Sequence, residues 1–195
     1  TICFEGCDYK YEIEAVMKLF HPVEHFKCII DGEIPDDITD DYTVVSVKNN
    51  ILSVKTVLNG ETRLRENTDN LPQSGHEQTL CRMLYKNLTE ITGIIPKWGC
   101  LTGIKPVKKV NALYEQGLSE KEAFAELQKR YFISEEKFRL ADMVSKTQKY
   151  LLTENKPNSY SLYVAIPFCP TRCSYCSFVS HSIKSPAAAK LIPEY

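Results

Sequence analysis

The chain changes its hydrophobic period at Ser74. Before that point strand-like and helical runs are mixed, and TVVSVKNNILSVKTVL contains two β-rich runs that predict strands joined at Asn49-Asn50. Asparagine tolerates the positive φ that a tight hairpin turn requires. ICF near the start and HFKCII predict two further strands, and residues 11–20 carry helical spacing at Ile13, Val16, Met17 and Phe20. After Ser74 the spacing is helical: Leu80, Met83, Leu84 and Leu88 share one face, with Ser74 as the expected N-cap and Gly93 at the C-terminal end. Pro106 suits the first turn of the next helix and Gly117 closes it. Ser119 and Glu122 form a capping box, and Ser134 caps a helix running to about residue 152. No internal repeat or low-complexity tract is visible. The fold class read from this pattern is α+β. A small α/β unit (1–73) precedes a helical segment (74–152), and the polar, proline-containing TENKPNS (153–159) predicts a linker. Beyond it lie an apolar strand at 162–166 and a short amphipathic segment at 187–191.

Composition narrows the function. With 43% hydrophobic and 25% charged residues in 195, the sequence is globular. Its net charge of −1 gives no argument for nucleic acid or an anionic membrane. No apolar run approaches the roughly 18 residues of a membrane span, and the acidic start has no signal-peptide pattern, so a cytoplasmic protein is expected. DGEIPDDITDD carries six acidic residues and no basic one; it reads as a solvated loop, since it lacks the ordered ligand spacing of a cation site.

Eight cysteines are unequally spread. Cys3, Cys7, Cys28, Cys81 and Cys100 stand singly, as small hydrophobes do. Cys169, Cys173 and Cys176 are bunched as C-x3-C-x2-C just after the apolar strand, which points to metal or redox chemistry. Structural zinc wants four ligands, and His181 is the available fourth. Unligated thiols are a second reading. An iron–sulfur cluster is the third: three thiolates on a [4Fe–4S] cluster leave one iron without a protein ligand, free to accept a small molecule. Arg172 either moderates the cluster's negative charge or is a solvated surface cation.

This spacing, with an aromatic residue before the last cysteine, resembles the signature of radical S-adenosylmethionine (SAM) enzymes. LYVAIPFCPTRCSYCSF is similar to the oxygen-independent coproporphyrinogen III oxidase (coproporphyrinogen dehydrogenase) branch. LYKNLTEITGIIPKWGCLTGIKPVKKV, YEQG and KRYFISEEK resemble a subgroup with an extra N-terminal region. The resemblance implies that Cys169, Cys173 and Cys176 bind a [4Fe–4S] cluster whose open iron holds SAM. Reductive cleavage of SAM then gives a radical that takes hydrogen from a propionate of coproporphyrinogen III; loss of carbon dioxide and an electron leaves a vinyl group. The implied partners are the porphyrinogen and a flavodoxin- or ferredoxin-like electron donor. By the same resemblance Tyr163 lies near cluster and substrate, with a catalytic and cofactor-binding part. Tyr175 lies by the SAM adenine, and Phe168 shields the cluster; for both tyrosines simple packing is the alternative.

Two positions depart from the family pattern. Ala165 stands where established dehydrogenases carry a histidine, and Phe178 where they carry a fourth cysteine. The second departure is shared with relatives resembling haem chaperones, so a haem chaperone on the same scaffold is an alternative, as is a zinc-bound interaction module. The basic stretch KWGCLTGIKPVKK, with Lys97, Lys105, Lys108 and Lys109, either meets an anion or is a charged helix start; Trp98 is expected in the core. A family barrel needs roughly 200 residues beyond the cysteine loop. The chain is therefore expected to be an N-terminal fragment holding the first strand of a truncated radical SAM (β/α) barrel, inactive by itself and poor at retaining a cluster.

Overall fold

A computed structural model describes residues 1–31, 41–103, 105–153, 156, 158–171, 173–174, 176–178 and 181–194. The acidic stretch at 32–40, together with Arg172, Tyr175 and part of the expected linker, lies outside the described residues. Two compact units are present, Thr1–Leu152 and Thr153–Tyr195.

The first unit is built on a five-stranded sheet of order β2-β1-β3-β4-β5. β1 (Ile2–Glu5) leads through α1 (Lys10–Met17) to β2 (Cys28–Ile30), and the two strands are parallel, as a helical crossover requires. β3 (Tyr42–Lys48) lies parallel to the other side of β1 and continues antiparallel into β4 (Ile51–Leu58). The Asn49-Asn50 turn forms as expected, with φ of 51° and 63°. Sequence alternation did not reveal β5 (Glu61–Asn67), which is polar or charged at almost every position. It pairs antiparallel with β4 across Asn59-Gly60, whose φ values of 52° and 79° match a primed hairpin turn. A charged strand at the sheet edge discourages pairing with another chain.

α2 (His76–Thr92) covers the sheet. Leu80, Leu84 and Leu88 are fully buried and share one core with Ile2, Phe4, Val45, Leu52 and Val54. The change of period at Ser74 therefore marks a new element of the same core rather than a break between domains. Asn87, also fully buried, ties the helix to the sheet by donating to the Val54 carbonyl at 3.1 Å and Thr56 Oγ1 at 3.2 Å. Ser74 is not the N-cap. Pro72 starts a 3₁₀ turn over Gln73–Gly75, the Gly75 N–H bonds to the Pro72 carbonyl at 2.8 Å, and Gly75 itself precedes the helix. Gly93 closes α2 in the left-handed region as expected, at φ 69°.

A second core cluster joins α3 (Val107–Glu115), α4 (Glu120–Tyr131) and α5 (Glu135–Thr153) through Val110, Leu113, Ala123, Leu127, Ile133, Phe138 and Ala141. Pro106 immediately precedes α3. The capping box at α4 is complete: Ser119 Oγ accepts from the Glu122 N–H, and the Glu122 carboxylate accepts from the Ser119 N–H at 2.8 Å. Ser134 Oγ accepts from the Lys137 N–H at 3.3 Å at the start of α5. The buried Asp142 knits these helices by accepting from Tyr114 Oη at 2.5 Å and Lys146 Nζ at 2.6 Å. Gly99 allows the closest backbone approach: its φ is 60°, and a Cβ there would stand 1.8 Å from the Tyr131 carbonyl oxygen. Among the described residues no helix is long and apolar enough to cross a membrane.

In the second unit the expected strand at 162–166 is absent. These residues have no ladder partner, and Leu162, Val164 and Ile166 are 80%, 75% and 73% exposed. An apolar run of this kind becomes a strand only when a neighbouring strand pairs with its N–H and C=O groups in register. The ladder lies further on. β6 (Phe168–Cys169) pairs parallel with β7 (His181–Ser182), followed by α6 (Pro186–Leu191). Ser185 caps α6 by accepting from the Ala188 N–H at 3.1 Å.

Candidate metal centre

Three thiols in one loop define the candidate centre. Cys169 belongs to β6, where its carbonyl accepts from the Ile183 N–H at 3.1 Å and the Pro167 carbonyl accepts from the His181 N–H at 2.7 Å. These two bonds fix the base of the loop. Within it the Cys176 N–H donates to the Cys173 carbonyl at 3.1 Å, a single turn that sets the last two cysteines at its ends. Proline at position 170 and the serines at 174 and 177 suit such an irregular segment. Cys169 and Cys176 are half-buried and Cys173 is exposed; none is in a disulfide.

The donor set fits an iron–sulfur cluster or zinc in kind, since three thiols share a loop that contains no carboxylate. Their geometry is open. Among the described residues no three His, Cys, Asp or Glu side chains are gathered as a metal group. Thiolates repel one another until a cation joins them, so gathering the sulfurs and binding the metal are one process. His181, the candidate fourth zinc ligand, sits in β7 with its ring 6.1 Å from that of Phe168, centre to centre. Phe168 is thereby half-buried at the root of the loop. Tyr163 is 79% exposed in the extended segment before β6, and the described structure does not bring it to the cysteines. Tyr175 and Arg172 lie outside the described residues.

The other five cysteines are unsuited to ligation. Cys3, Cys81 and Cys100 are buried. Burial pushes the Cys100 thiol up to about 12, and burial with neighbouring charge raises Cys81 further. Cys28, half-buried, donates its S–H to Glu14 Oε1 at 3.0 Å, and burial and that bond push its thiol up to about 11. Protonated thiols of this kind pack as small apolar groups, as their isolated positions suggested.

The basic stretch splits. Lys97 pairs with Glu136 at 2.6 Å, and Trp98 packs against the second core with Lys137 Nζ 5.8 Å from its ring centre. Lys105 and Lys109 line a cavity of about 290 Å³ beside Trp98.

The class of protein that the cysteine loop resembles is also the one that comparison with known proteins returns: the oxygen-independent coproporphyrinogen-III oxidase-like branch. The relative is HemZ of Bacillus subtilis (strain 168), named an oxygen-independent coproporphyrinogen-III oxidase-like protein, 39% identical over 107 residues. That match takes in 53% of this chain and 21% of HemZ, so the chain spans about a fifth of the length of the curated relative it matches. No family model matches the chain, and no solved structure matches it.

Proposed function

We propose that these residues are the N-terminal part of a radical SAM enzyme of haem biosynthesis that decarboxylates coproporphyrinogen III without oxygen. The observation that carries this reading is the cysteine loop, three cysteines at C-x3-C-x2-C in no disulfide and with no carboxylate among them. The 39% identity to HemZ supports the same branch. Cys169, Cys173 and Cys176 would hold a [4Fe–4S] cluster. When bound, such a group supplies one electron to a sulfonium cosubstrate, and three thiolates leave a corner for that cosubstrate.

This chain's own residues do the placing. The β6–β7 ladder anchors Cys169, and the turn at Cys173 and Cys176 orients the remaining two sulfurs. Phe168, against His181, excludes water from the root of the loop. The exposed apolar run from Leu162 to Ile166 is in character a barrel strand awaiting its neighbours. In each of two propionates, loss of one hydrogen atom, carbon dioxide and one electron produces a vinyl group, giving protoporphyrinogen IX. The electron donor of this reading is flavodoxin- or ferredoxin-like, and Tyr163 and Tyr175 act beside cluster and cosubstrate.

A second reading, a haem chaperone on the same scaffold, is favoured by Phe178, which stands where the dehydrogenase pattern has a fourth cysteine. Anaerobic reconstitution of the full-length protein with iron and sulfide tests both. The enzyme reading expects four irons with sulfide, and 5′-deoxyadenosine with protoporphyrinogen IX from coproporphyrinogen III. Stable haem binding without decarboxylation would transfer the assignment to the chaperone. One zinc per chain with no sulfide would remove both.

A further inference from the structure

A different site lies in the first unit. β5 and α2 wall a cleft of about 420 Å³ whose lining includes Arg65 and Glu66 from the strand and Thr79, Arg82 and Lys86 from the helix. Arg82 is half-buried, its Nε–H is closed off from solvent without an acceptor, and its side chain makes no hydrogen bond or ion pair with a described residue. Lys86, one turn further along the helix, likewise has no carboxylate partner among the described residues. Arg65, on the opposite wall, bonds Glu90 through a terminal nitrogen, but its own Nε–H is also enclosed and unpaired. Glu66 is the single carboxylate in the lining and bonds neither arginine.

Enclosing a charged donor without an acceptor is unfavourable, and two arginines that line this one cleft each carry such a donor. The cations are also held in place beforehand. The Arg82 guanidinium lies 5.3 Å and Lys86 Nζ 5.5 Å from the centre of the Phe132 ring. Phe132 is itself fixed by stacking on Tyr85, with ring centres 5.2 Å apart and planes 7° from parallel. Side chains ordered in advance lose little freedom when a ligand arrives.

We propose that this cleft binds the phosphate group of a small ligand. Two guanidinium forks and an ammonium present donors from two walls. A phosphate dianion has enough oxygens to accept from all three, whereas a carboxylate has two oxygens and a single charge. The site is independent of the cysteine loop and of the reaction proposed for it.

The test is titration of inorganic phosphate into the chain, following the Nε–H resonances of Arg65 and Arg82 by NMR, with acetate at matched ionic strength as control. Saturable shifts of both resonances are expected with phosphate alone. Arg82→Gln should weaken binding about tenfold or more, and Lys86→Gln about threefold. Lys86 is exposed, so its variant serves should Arg82→Gln misfold. Adenosine 5′-phosphate run in parallel separates the sources: tighter binding assigns a phosphomonoester, equal binding the free ion. Equal response to acetate, shifts that do not saturate, or phosphate affinity unchanged in both variants would overturn the site.

Discussion

In the first unit Cys81, on α2, and Cys100 lie in the core at 7% and 5% exposure, their protons held by burial. In the second, Cys173 is exposed and Cys169 and Cys176 are half-buried in a loop whose base is the two-residue ladder β6–β7. The same side chain serves as packing in one unit and stands open to ligation in the other. The difference lies in what surrounds it. The first unit buries a hydrophobic core of its own, while the second keeps large apolar residues such as Tyr160, Leu162 and Tyr163 in solvent.

The sharpest way to break this contrast is thiol labelling. Raising the Cys100 thiol from 9.0 to about 12 lowers its thiolate fraction about a thousandfold. Mass spectrometry after brief anaerobic alkylation near neutral pH should therefore find Cys169, Cys173 and Cys176 modified, and Cys81 and Cys100 intact. Labelling of Cys100 at the rate of Cys173 would show that the first unit opens readily.

Gly99→Ala attacks the closed unit directly. Its new Cβ would collide with the Tyr131 carbonyl oxygen at 1.8 Å, in a backbone conformation that side chains resist. A loss of about 3 kcal/mol in urea unfolding is expected, with the labelling of the loop cysteines unchanged. Ser119→Ala removes the capping box of α4 and should lower stability by about 1 kcal/mol on the same measurement.

The smallest effect concerns pH. Burial and the hydrogen bond to Asp142 push the Tyr114 phenol from 10.0 up to about 12. The folded state thus holds this proton more tightly than the unfolded chain. Its contribution is whole below pH 10 and is lost as pH rises toward 12. Tyr114→Phe should flatten that part of the stability profile measured by circular dichroism, and an unaltered slope would place the alkaline loss in the raised thiols instead.

Much of the first unit was legible because its signals are local. The Asn49-Asn50 hairpin, the Gly93 terminus, the Ser119–Glu122 box and the buried face of Leu80, Leu84 and Leu88 each depend on residues close in sequence. β5 escaped because an edge strand needs no apolar alternation, although Asn59-Gly60, a strong hairpin dipeptide, announced it. Ser74 lost the N-cap to a turn begun by Pro72. The three loop cysteines stand out by their spacing, and among the described residues their side chains are not gathered as a metal group. The 162–166 strand failed because alternation and apolarity state what a segment will accept as a neighbour, and pairing waits until one arrives.

The parallel bonds from His181 to Pro167 and from Ile183 to Cys169 have a consequence for assembly. They join the two ends of the cysteine loop. On the proposed reading, drawing the three sulfurs onto an inorganic core would start with the two ends of the loop already joined, so less of the logarithmic entropy of loop closure would remain to be met when iron is delivered.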